Sequence, residues 1–236
     1  MYEMDRQIYC SDIGENDEIR NSAVVDILQD ASNFHLEYHP VMSPFFRNEH
    51  CVMYLVSRQI DILRRPVYGE KIHIKTWTFE LKRMYGYRNT VVYGEDGKPC
   101  ILGVAGGAFM DTDTQKPIRV PQELVDRVSV YDRLDMEYKP RKIALPDIRP
   151  RRFEPVAVRR CDIDMNKHVN NARYVDITDE YLPEDAVVTN MRIEYKIPIK
   201  RGMTVVPAVY SQGNTIIVSL SDIEDRAFCI VEYTVK

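Results

Sequence analysis

One short segment of the chain combines side chains that can do acid–base chemistry. Within Asp162–Asn171, Asp164 and His168 stand four residues apart, and Asn166 lies between them. A carboxylate can take a proton from water or attack a carbonyl carbon, and an imidazole can orient water or stabilise charge. Because the segment leads directly into a predicted helix, these three residues are candidates for an active site.

The same segment has a counterpart 150 residues earlier in the chain. Residues 12–27 align without a gap with residues 162–177, and seven of the sixteen positions are identical. Asp164 and His168 are matched by Gly14 and Glu18 in the first copy. Residues that both copies share are expected to serve folding, so the reactive pair, present in one copy only, is expected to serve function.

Two asparagines of the segment, and their counterparts in the first copy, have structural interpretations. Asn171 is expected to cap the following helix with its side chain, and Asn21 to do so in the first copy, because asparagine before a helix accepts hydrogen bonds from free backbone N–H groups. Asn166 has a counterpart in Asn16. Its interpretation therefore stays open between holding the loop and taking part in the chemistry.

The hydrophobic pattern and the turn residues predict the same order of elements in both copies, a short strand, a helix and four strands. In the first copy these lie over 4–9, 22–38, 52–63, 70–80, 86–94 and 100–110. In the second copy they lie over 154–161, 171–182, 188–198, 203–210, 215–220 and 227–235.

Five antiparallel strands and one helix can bury a common core only if the sheet curls around the helix, which is the hot-dog arrangement. We therefore predict an α+β protein of two tandem hot-dog modules, residues 1–125 and 153–236, whose sheets pair side by side. Residues 126–152 are predicted to be a proline-rich linker, and a short helix near 122–128, after Pro121, is predicted at its start.

The composition is that of an ordinary globular protein. The 236 residues are 44% apolar and 29% charged, and 32 basic against 36 acidic residues give 32 − 36 = −4, which disfavours disorder and nucleic-acid binding driven by global charge. The longest apolar run, 101–110, is about half of a membrane-spanning helix. Five widely spaced cysteines predict neither disulfides nor a zinc site, and we expect a cytoplasmic protein with no metal and no membrane insertion.

The segment Asp162–Asn171 resembles the catalytic segment of acyl-acyl carrier protein (acyl-ACP) thioesterases, whose pattern is D-x-D-x-N-x-H-V-N-N. The resemblance continues in Asn190–Tyr195 and, in the first copy, in Lys75–Trp77, Gly107–Asp111 and Ile118–Glu123. It implies a bacterial enzyme, without a cofactor, that hydrolyses fatty acyl-ACP, releases free fatty acid and so terminates fatty acid synthesis.

The resemblance also implies residue roles. Asp164, Asn166 and His168 would be catalytic, and the acyl chain would lie mainly against the N-terminal module. The family usually carries a glutamate a few residues beyond a Glu-Tyr pair, and plant members carry a cysteine beside it. Here those positions are Pro198 and Ile199, which leaves Glu194, roughly 13 Å away along a strand, as a substitute carboxylate.

Thioester hydrolysis needs a base and an oxyanion site, since a thiol of pKa about 8.5 leaves readily as thiolate. We expect Asp164 to activate water or to attack the thioester directly, while Asn166 and His168 orient the water and stabilise nearby charge. Backbone N–H groups of Val169–Asn171, at the start of the helix, are expected to bind the developing oxyanion.

The partner implied by the resemblance is an acidic carrier protein. Residues 139–160 contain eight basic and only two acidic side chains. This stretch could steer the carrier electrostatically or could be a solvated linker, and both interpretations stay open. Formation of a homodimer is also open, because the internal pair already gives each module a partner.

Three alternatives remain. A coenzyme A thioesterase would use the same chemistry, and a non-catalytic acyl-binding module would not explain Asp164 and His168. A hot-dog dehydratase draws its histidine and carboxylate from different copies, which does not fit a first copy that lacks both. The acyl chain length depends on pocket side chains, for which the sequence offers Phe34, Met53, Trp77 and Phe109.

Overall fold

A computed structural model describes residues 1–236. The helices are α1 Asn21–Tyr38, α2 Met42–Asn48, α3 Gln122–Arg127 and α4 Asn171–Asp179. The strands are β1 Tyr2–Gln7, β2 Cys51–Ile62, β3 Lys71–Leu81, β4 Tyr85–Tyr93, β5 Pro99–Asp111, β6 Arg151–Arg152, β7 Val156–Ala157, β8 Val188–Tyr195, β9 Thr204–Gln212, β10 Thr215–Ser221 and β11 Ala227–Val235. No helix combines the length and apolarity required to cross a membrane.

All strands belong to one antiparallel sheet whose two halves repeat each other. The order is β1-β3-β4-β5-β2 in the first half and β8-β11-β10-β9-β6 in the second, with β7 also on β9. The halves meet where Ser57–Asp61 of β2 pairs with Asn190–Glu194 of β8. This arrangement confirms the prediction of an α+β protein built from two tandem hot-dog modules with adjoining sheets.

The two long helices pack on one face of this sheet, which we call the inner face. Val24, Leu28 and Ala31 of α1 are fully buried at the spacing of one helical stripe. They share a single hydrophobic core with Val175 of α4 and with inward-facing strand residues of both modules, such as Met191. An ion pair of 2.6 Å between Arg173 and Asp26 joins the helices directly.

Residues 131–143, which we call the strap, cross the opposite or outer face. The indole of Trp77 donates to the carbonyl of Asp132 (2.8 Å), and Gln59 donates to the carbonyl of Glu137 (2.7 Å). The side chain of Asn89 accepts hydrogen bonds from the strap as well. The segment predicted as a linker is thus fastened to the sheet, and Trp77, expected near the acyl chain, lies instead beneath the strap.

Prolines explain most differences from the predicted elements. The strand expected over 154–161 is reduced to the two residues of β7 and is followed by a 3₁₀ turn at Arg160–Asp162; Pro155, which has no N–H for a ladder, separates β7 from β6, which lies before the expected strand. Helix α4 ends at Asp179, before the predicted 182, since Pro183 disfavours helical backbone in the preceding residue. Helix α2 was not predicted.

Candidate active site

The catalytic candidates lie in a closed turn that follows a buried aspartate. Asp162 is 2% exposed, and its carboxylate accepts the backbone N–H of Arg159 (2.7 Å) and the guanidinium of the same residue (2.9 Å). A β-bridge then pairs Ile163 with Val169. The five residues between them must therefore reverse the chain within a tight loop, which we call the catalytic turn.

Asp164 and His168 occupy the two ends of the catalytic turn. The N–H of Asp164 donates to the carbonyl of His168 (2.9 Å), and Lys167, in the left-handed conformation at φ 64°, donates to the carbonyl of Asp164 (3.0 Å). The Asp164 carboxylate accepts the backbone N–H of Asn166 (2.8 Å). The structure thus brings Asp164, Asn166 and His168 together, with Asp164 and His168 half-buried and Asn166 exposed.

His168 also contacts the other module. Its ring lies edge-on to Tyr54 of β2, with centroids 6.1 Å apart and planes at 88°. Burial lowers the pKa of His168, the charge of Lys200 lowers it further, and Asp164 opposes the shift. The imidazole is therefore mainly neutral at neutral pH. Tyr54 carried no signal in the sequence, because its role depends on how the modules pack.

The helix cap is one residue earlier than expected. The side chain of Asn170 accepts the N–H of Ala172 (2.8 Å), so Asn170, not Asn171, caps α4. In the first copy, Asn21 does not cap α1; its side chain accepts a hydrogen bond from Arg65 instead. Asn21 and Asn171 are the first residues of α1 and α4, one position after the cap, where a side chain no longer reaches the free backbone N–H groups.

Two of the three predicted oxyanion donors are already engaged. The N–H of Val169 donates to the carbonyl of Ile199 (2.8 Å), and that of Asn170 donates to the carbonyl of Asp162 (2.8 Å). These bonds close the catalytic turn onto its neighbours, so neither group is free for a substrate oxygen. The prediction for Val169 and Asn170 is therefore wrong, and Asn171 remains the candidate donor.

Asn171 connects the catalytic turn to the first module through its side chain. Its amide donates to the side-chain oxygen of Gln29 on α1 (3.2 Å), and the same oxygen accepts a hydrogen bond from Arg58 on β2 (3.0 Å). Arg58 is 4% exposed, and burial lowers the pKa of its guanidinium. Sequence reasoning missed Gln29 and Arg58, because helical and strand periodicity alone do not reveal which polar side chains meet across the core.

The first copy repeats the backbone of the catalytic turn without its chemistry. Ile13 bridges to Ile19, the N–H of Gly14 donates to the carbonyl of Glu18 (2.8 Å), and Asp17 has φ 59°. Each feature matches one 150 residues later, so both copies fold the same loop. We call the first one the silent turn.

Arg65 fills the space beside the silent turn. Its guanidinium donates to the carbonyl of Ile19 (2.7 Å) and to the side chain of Asn21 (2.8 Å), and it pairs with Glu18 at 3.1 Å. It also reaches the carbonyl of Val188 in the second module (3.1 Å). Arg65 therefore stabilises the silent turn, whereas the catalytic turn carries the imidazole of His168.

Glu194 does not lie at the catalytic turn. Its carboxylate accepts the N–H of Ile143 in the strap (3.0 Å) and lies 3.5 Å from the ammonium of Lys196. Tyr195, the next residue, faces α4 and donates to the carbonyl of Asn171 (3.1 Å). Because side chains alternate along a strand, Glu194 belongs to the outer face, and the structure contradicts its use as the substitute carboxylate.

The segment that replaces the family carboxylate does lie beside the catalytic turn. The carbonyl of Ile199 accepts the Val169 N–H, and the N–H of Ile199 donates to the hydroxyl of Tyr174 (3.1 Å). Neither Pro198 nor Ile199 supplies a carboxyl or thiol. Asp164 is the carboxylate that the structure places in the turn, and no group of three or more His, Cys, Asp or Glu side chains is placed to hold a metal ion.

The basic stretch over 139–160 does not form one surface. Lys139 belongs to the strap on the outer face, Arg151 and Arg152 pair with β9, and Arg159 binds Asp162 before the catalytic turn. Arg152 also forms an ion pair with Asp225. The stretch is thus divided among three places, which weakens its interpretation as a single steering patch.

Comparison with known proteins covers both modules. Residues 1–128 match the family profile of the acyl-ACP thioesterase N-terminal domain, and residues 147–225 match that of the C-terminal domain. The chloroplastic oleoyl-acyl carrier protein thioesterase of Coriandrum sativum is 23% identical over 200 residues, which are 78% of this chain and 54% of that protein. The chain thus spans about half the length of the curated relatives it matches.

Solved structures share the fold over nearly the whole chain. An acyl-ACP thioesterase from Bacteroides thetaiotaomicron superposes with a TM-score of 0.87 and 18% identity, covering 99% of this chain and 97% of its own. The 12:0-ACP thioesterase of Umbellularia californica superposes with a TM-score of 0.86 and 16% identity, covering 100% of this chain and 96% of its own. At these identities the structures establish the fold, and the two family profiles establish the lineage: the chain belongs to the acyl-ACP thioesterase family.

Proposed function

We propose that the protein hydrolyses the thioester of fatty acyl-ACP and releases a free fatty acid. The observation that carries this proposal is the catalytic turn, which holds the carboxylate of Asp164 and the imidazole of His168 at the two positions where the silent turn, with the same backbone, has Gly14 and Glu18. Family membership supports acyl-ACP as the substrate. The contact between Tyr54 and His168 supports binding of the acyl chain against the first module, since it places β2 beside the reacting groups.

In this mechanism Asp164 acts as the general base. One carboxylate oxygen holds the backbone N–H of Asn166, and the other takes a proton from water as that water attacks the thioester carbonyl. The tetrahedral intermediate then expels the thiolate, which needs little acid assistance. His168 and the side chain of Asn166 orient the water, and the N–H of Asn171 stabilises the oxyanion at the start of α4.

The test is release of free thiol from fatty acyl-ACP. Asp164→Asn and His168→Ala are each expected to lower kcat/KM by about 10²-fold or more, which is typical for the loss of a positioned acid–base group. Glu18→Ala is the matched control, because Glu18 holds the position of His168 in the silent turn, and it should leave kcat/KM within about twofold.

Near wild-type turnover in both catalytic variants would refute the proposal. Parallel assays with acyl-coenzyme A decide the carrier: a kcat/KM for acyl-coenzyme A equal to or above that for acyl-ACP would replace acyl-ACP by coenzyme A as the donor. A protein that binds acyl-ACP but releases no thiol would be an acyl-binding module instead.

A further inference from the structure

A cavity of about 260 Å³ lies on the outer face, away from the catalytic turn. It lies between the strap and the sheet where the two modules meet, is partly open to the surface, and we call it the outer-face cavity. Ser57 of β2 and Tyr87 of β4 line the sheet side, and Tyr138 and Arg141 line the strap side. The proposed hydrolysis assigns no role to this space.

Aromatic rings form the walls of the outer-face cavity. Phe79 stacks on Tyr87 with centroids 6.0 Å apart and meets Tyr138 edge-on at 5.6 Å. Tyr87 lies over Gly106, where a Cβ would stand 2.7 Å from its ring and 2.8 Å from the hydroxyl of Ser57. Glycine at this position therefore allows the ring to lie against β5, and the walls suit an apolar chain or ring.

The rim of the cavity is positively charged. Its lining residues include five cationic side chains, Arg58, Arg133, Lys139, Arg141 and Arg192, and one acid, Glu80, so that 5 − 1 = +4 in a chain of net charge −4. Arg133 pairs with Glu80 (2.9 Å), and Arg192 pairs with Glu232 (2.7 Å). Lys139 and Arg141 form no ion pair, so their charges are available to an anion.

We propose that the outer-face cavity binds a small amphiphilic carboxylate, with its chain against the aromatic walls and its carboxylate on Arg141 and Lys139. At ~30 Å³ for each water-sized group, a cavity of about 260 Å³ holds roughly eight or nine non-hydrogen atoms, the size of a six-carbon fatty acid. That the natural ligand belongs to the fatty acids rests on the proposed function, because these are the products of the reaction.

The single tryptophan of the chain provides the readout. Trp77 donates to the carbonyl of Asp132 in the strap (2.8 Å), next to Arg133 on the rim. Titration of the full chain with hexanoate should change its fluorescence saturably. Hexanoate should bind at least about tenfold more tightly than 1-hexanol, since a charge-assisted hydrogen bond contributes about one decade of affinity or more.

Two variants and one control locate the ligand. Arg141→Gln should weaken the binding of hexanoate about tenfold and leave the affinity for 1-hexanol within about twofold of wild type. Val104→Phe, which fills the cavity, should abolish the binding of both ligands. Lys142→Gln removes the same charge from the strap beside the cavity lining and should bind as wild type. Circular dichroism checks folding, and if Val104→Phe fails to fold, the comparison of Arg141→Gln with Lys142→Gln decides.

Absence of a saturable signal with hexanoate would overturn the proposal. So would equal hexanoate affinity in wild type and Arg141→Gln, because the ligand would then lie elsewhere, for example in the acyl site. The titration contains no thioester, and the Asp164→Asn protein should bind hexanoate as wild type does. A failure of this proposal is therefore distinguishable from a failure of the hydrolysis, which appears only in thiol release.

Discussion

The imidazole of His168 experiences two opposed charges. Asp164 favours its protonation, while burial and the ammonium of Lys200 disfavour it, and the balance lowers the pKa. Lys200 follows Ile199, whose carbonyl is bonded to the residue after His168. Lys200 is therefore placed to tune the histidine without touching the reacting atoms.

Replacing Lys200 should move the pH dependence of the reaction. In Lys200→Gln the imidazolium is no longer repelled, so the pKa of His168 rises and more of it is protonated in mild acid. The acidic limb of the kcat/KM profile is expected to shift to higher pH, with little change on its plateau. Lys196→Gln is the control, since Lys196 lies near Glu194 instead, and equal profiles for the two variants would contradict this assignment.

At the residue scale the sequence reveals the reactive pair but not its support. Asp164 and His168 could be predicted because the internal copy lacks them. Gln29 and Tyr54 could not, since each meets the catalytic turn or α4 only through packing across the two modules. Glu194 was misplaced because β8 ends at Tyr195, before the predicted end at Pro198. The expectation that Glu194 and Pro198 lie on the same face of one strand therefore does not apply.

Among the elements, the silent turn depends on one arginine. Arg65→Ala would leave the carbonyls of Ile19 and Val188 without their partner in a largely buried setting. We expect the free energy of unfolding to fall by about 3 kcal/mol, with thiol release per folded molecule within about twofold of wild type.

Urea titration and single-turnover thiol release measure these two quantities for Arg65→Ala. Arg127→Ala, at the exposed end of α3, is the control and should change stability by less than about 0.5 kcal/mol. A loss of turnover at unchanged stability would show instead that the silent turn takes part in the reaction.

The last residue of α4 makes stability depend on pH. Burial raises the pKa of Asp179 to about 7, and one of its carboxylate oxygens has no hydrogen-bond partner. Because the folded state binds this proton more tightly than the unfolded chain does, the stabilisation is present in acid and is lost as the pH rises through 7.

From pH 5 to pH 8 this group should remove about 3 kcal/mol from the free energy of unfolding. Asp179→Asn, which stays neutral, is expected to be more stable than wild type at both pH values, and by more at pH 8 than at pH 5. Thermal unfolding across this range is the measurement, with Asp185→Asn at an exposed position as the control. A variant less stable at both pH values would indicate that the ionised carboxylate is required.

At the scale of the whole molecule, the repeat predicts the pairing of the two half-sheets but not the course of the chain between them. Proline content marks residues 126–152 as irregular, and nothing in their pattern shows that the strap would be fastened to Gln59 and Asn89. Those bonds join residues 45 to 80 positions apart, a separation that no local pattern records. The strap also creates the outer-face cavity, which the sequence gives no reason to expect.

The silent turn has a stoichiometric consequence. Two identical hot-dog chains would present two equivalent reactive corners, whereas here Arg65 occupies one of them. A non-hydrolysable thioester analogue should therefore bind with a stoichiometry of one per chain of 27.6 kDa, and this ratio should remain one per chain even if chains associate. Two bound molecules per chain would mean that the silent corner still binds the thioester, whereas one would mean that a single chain contains two modules and one working site.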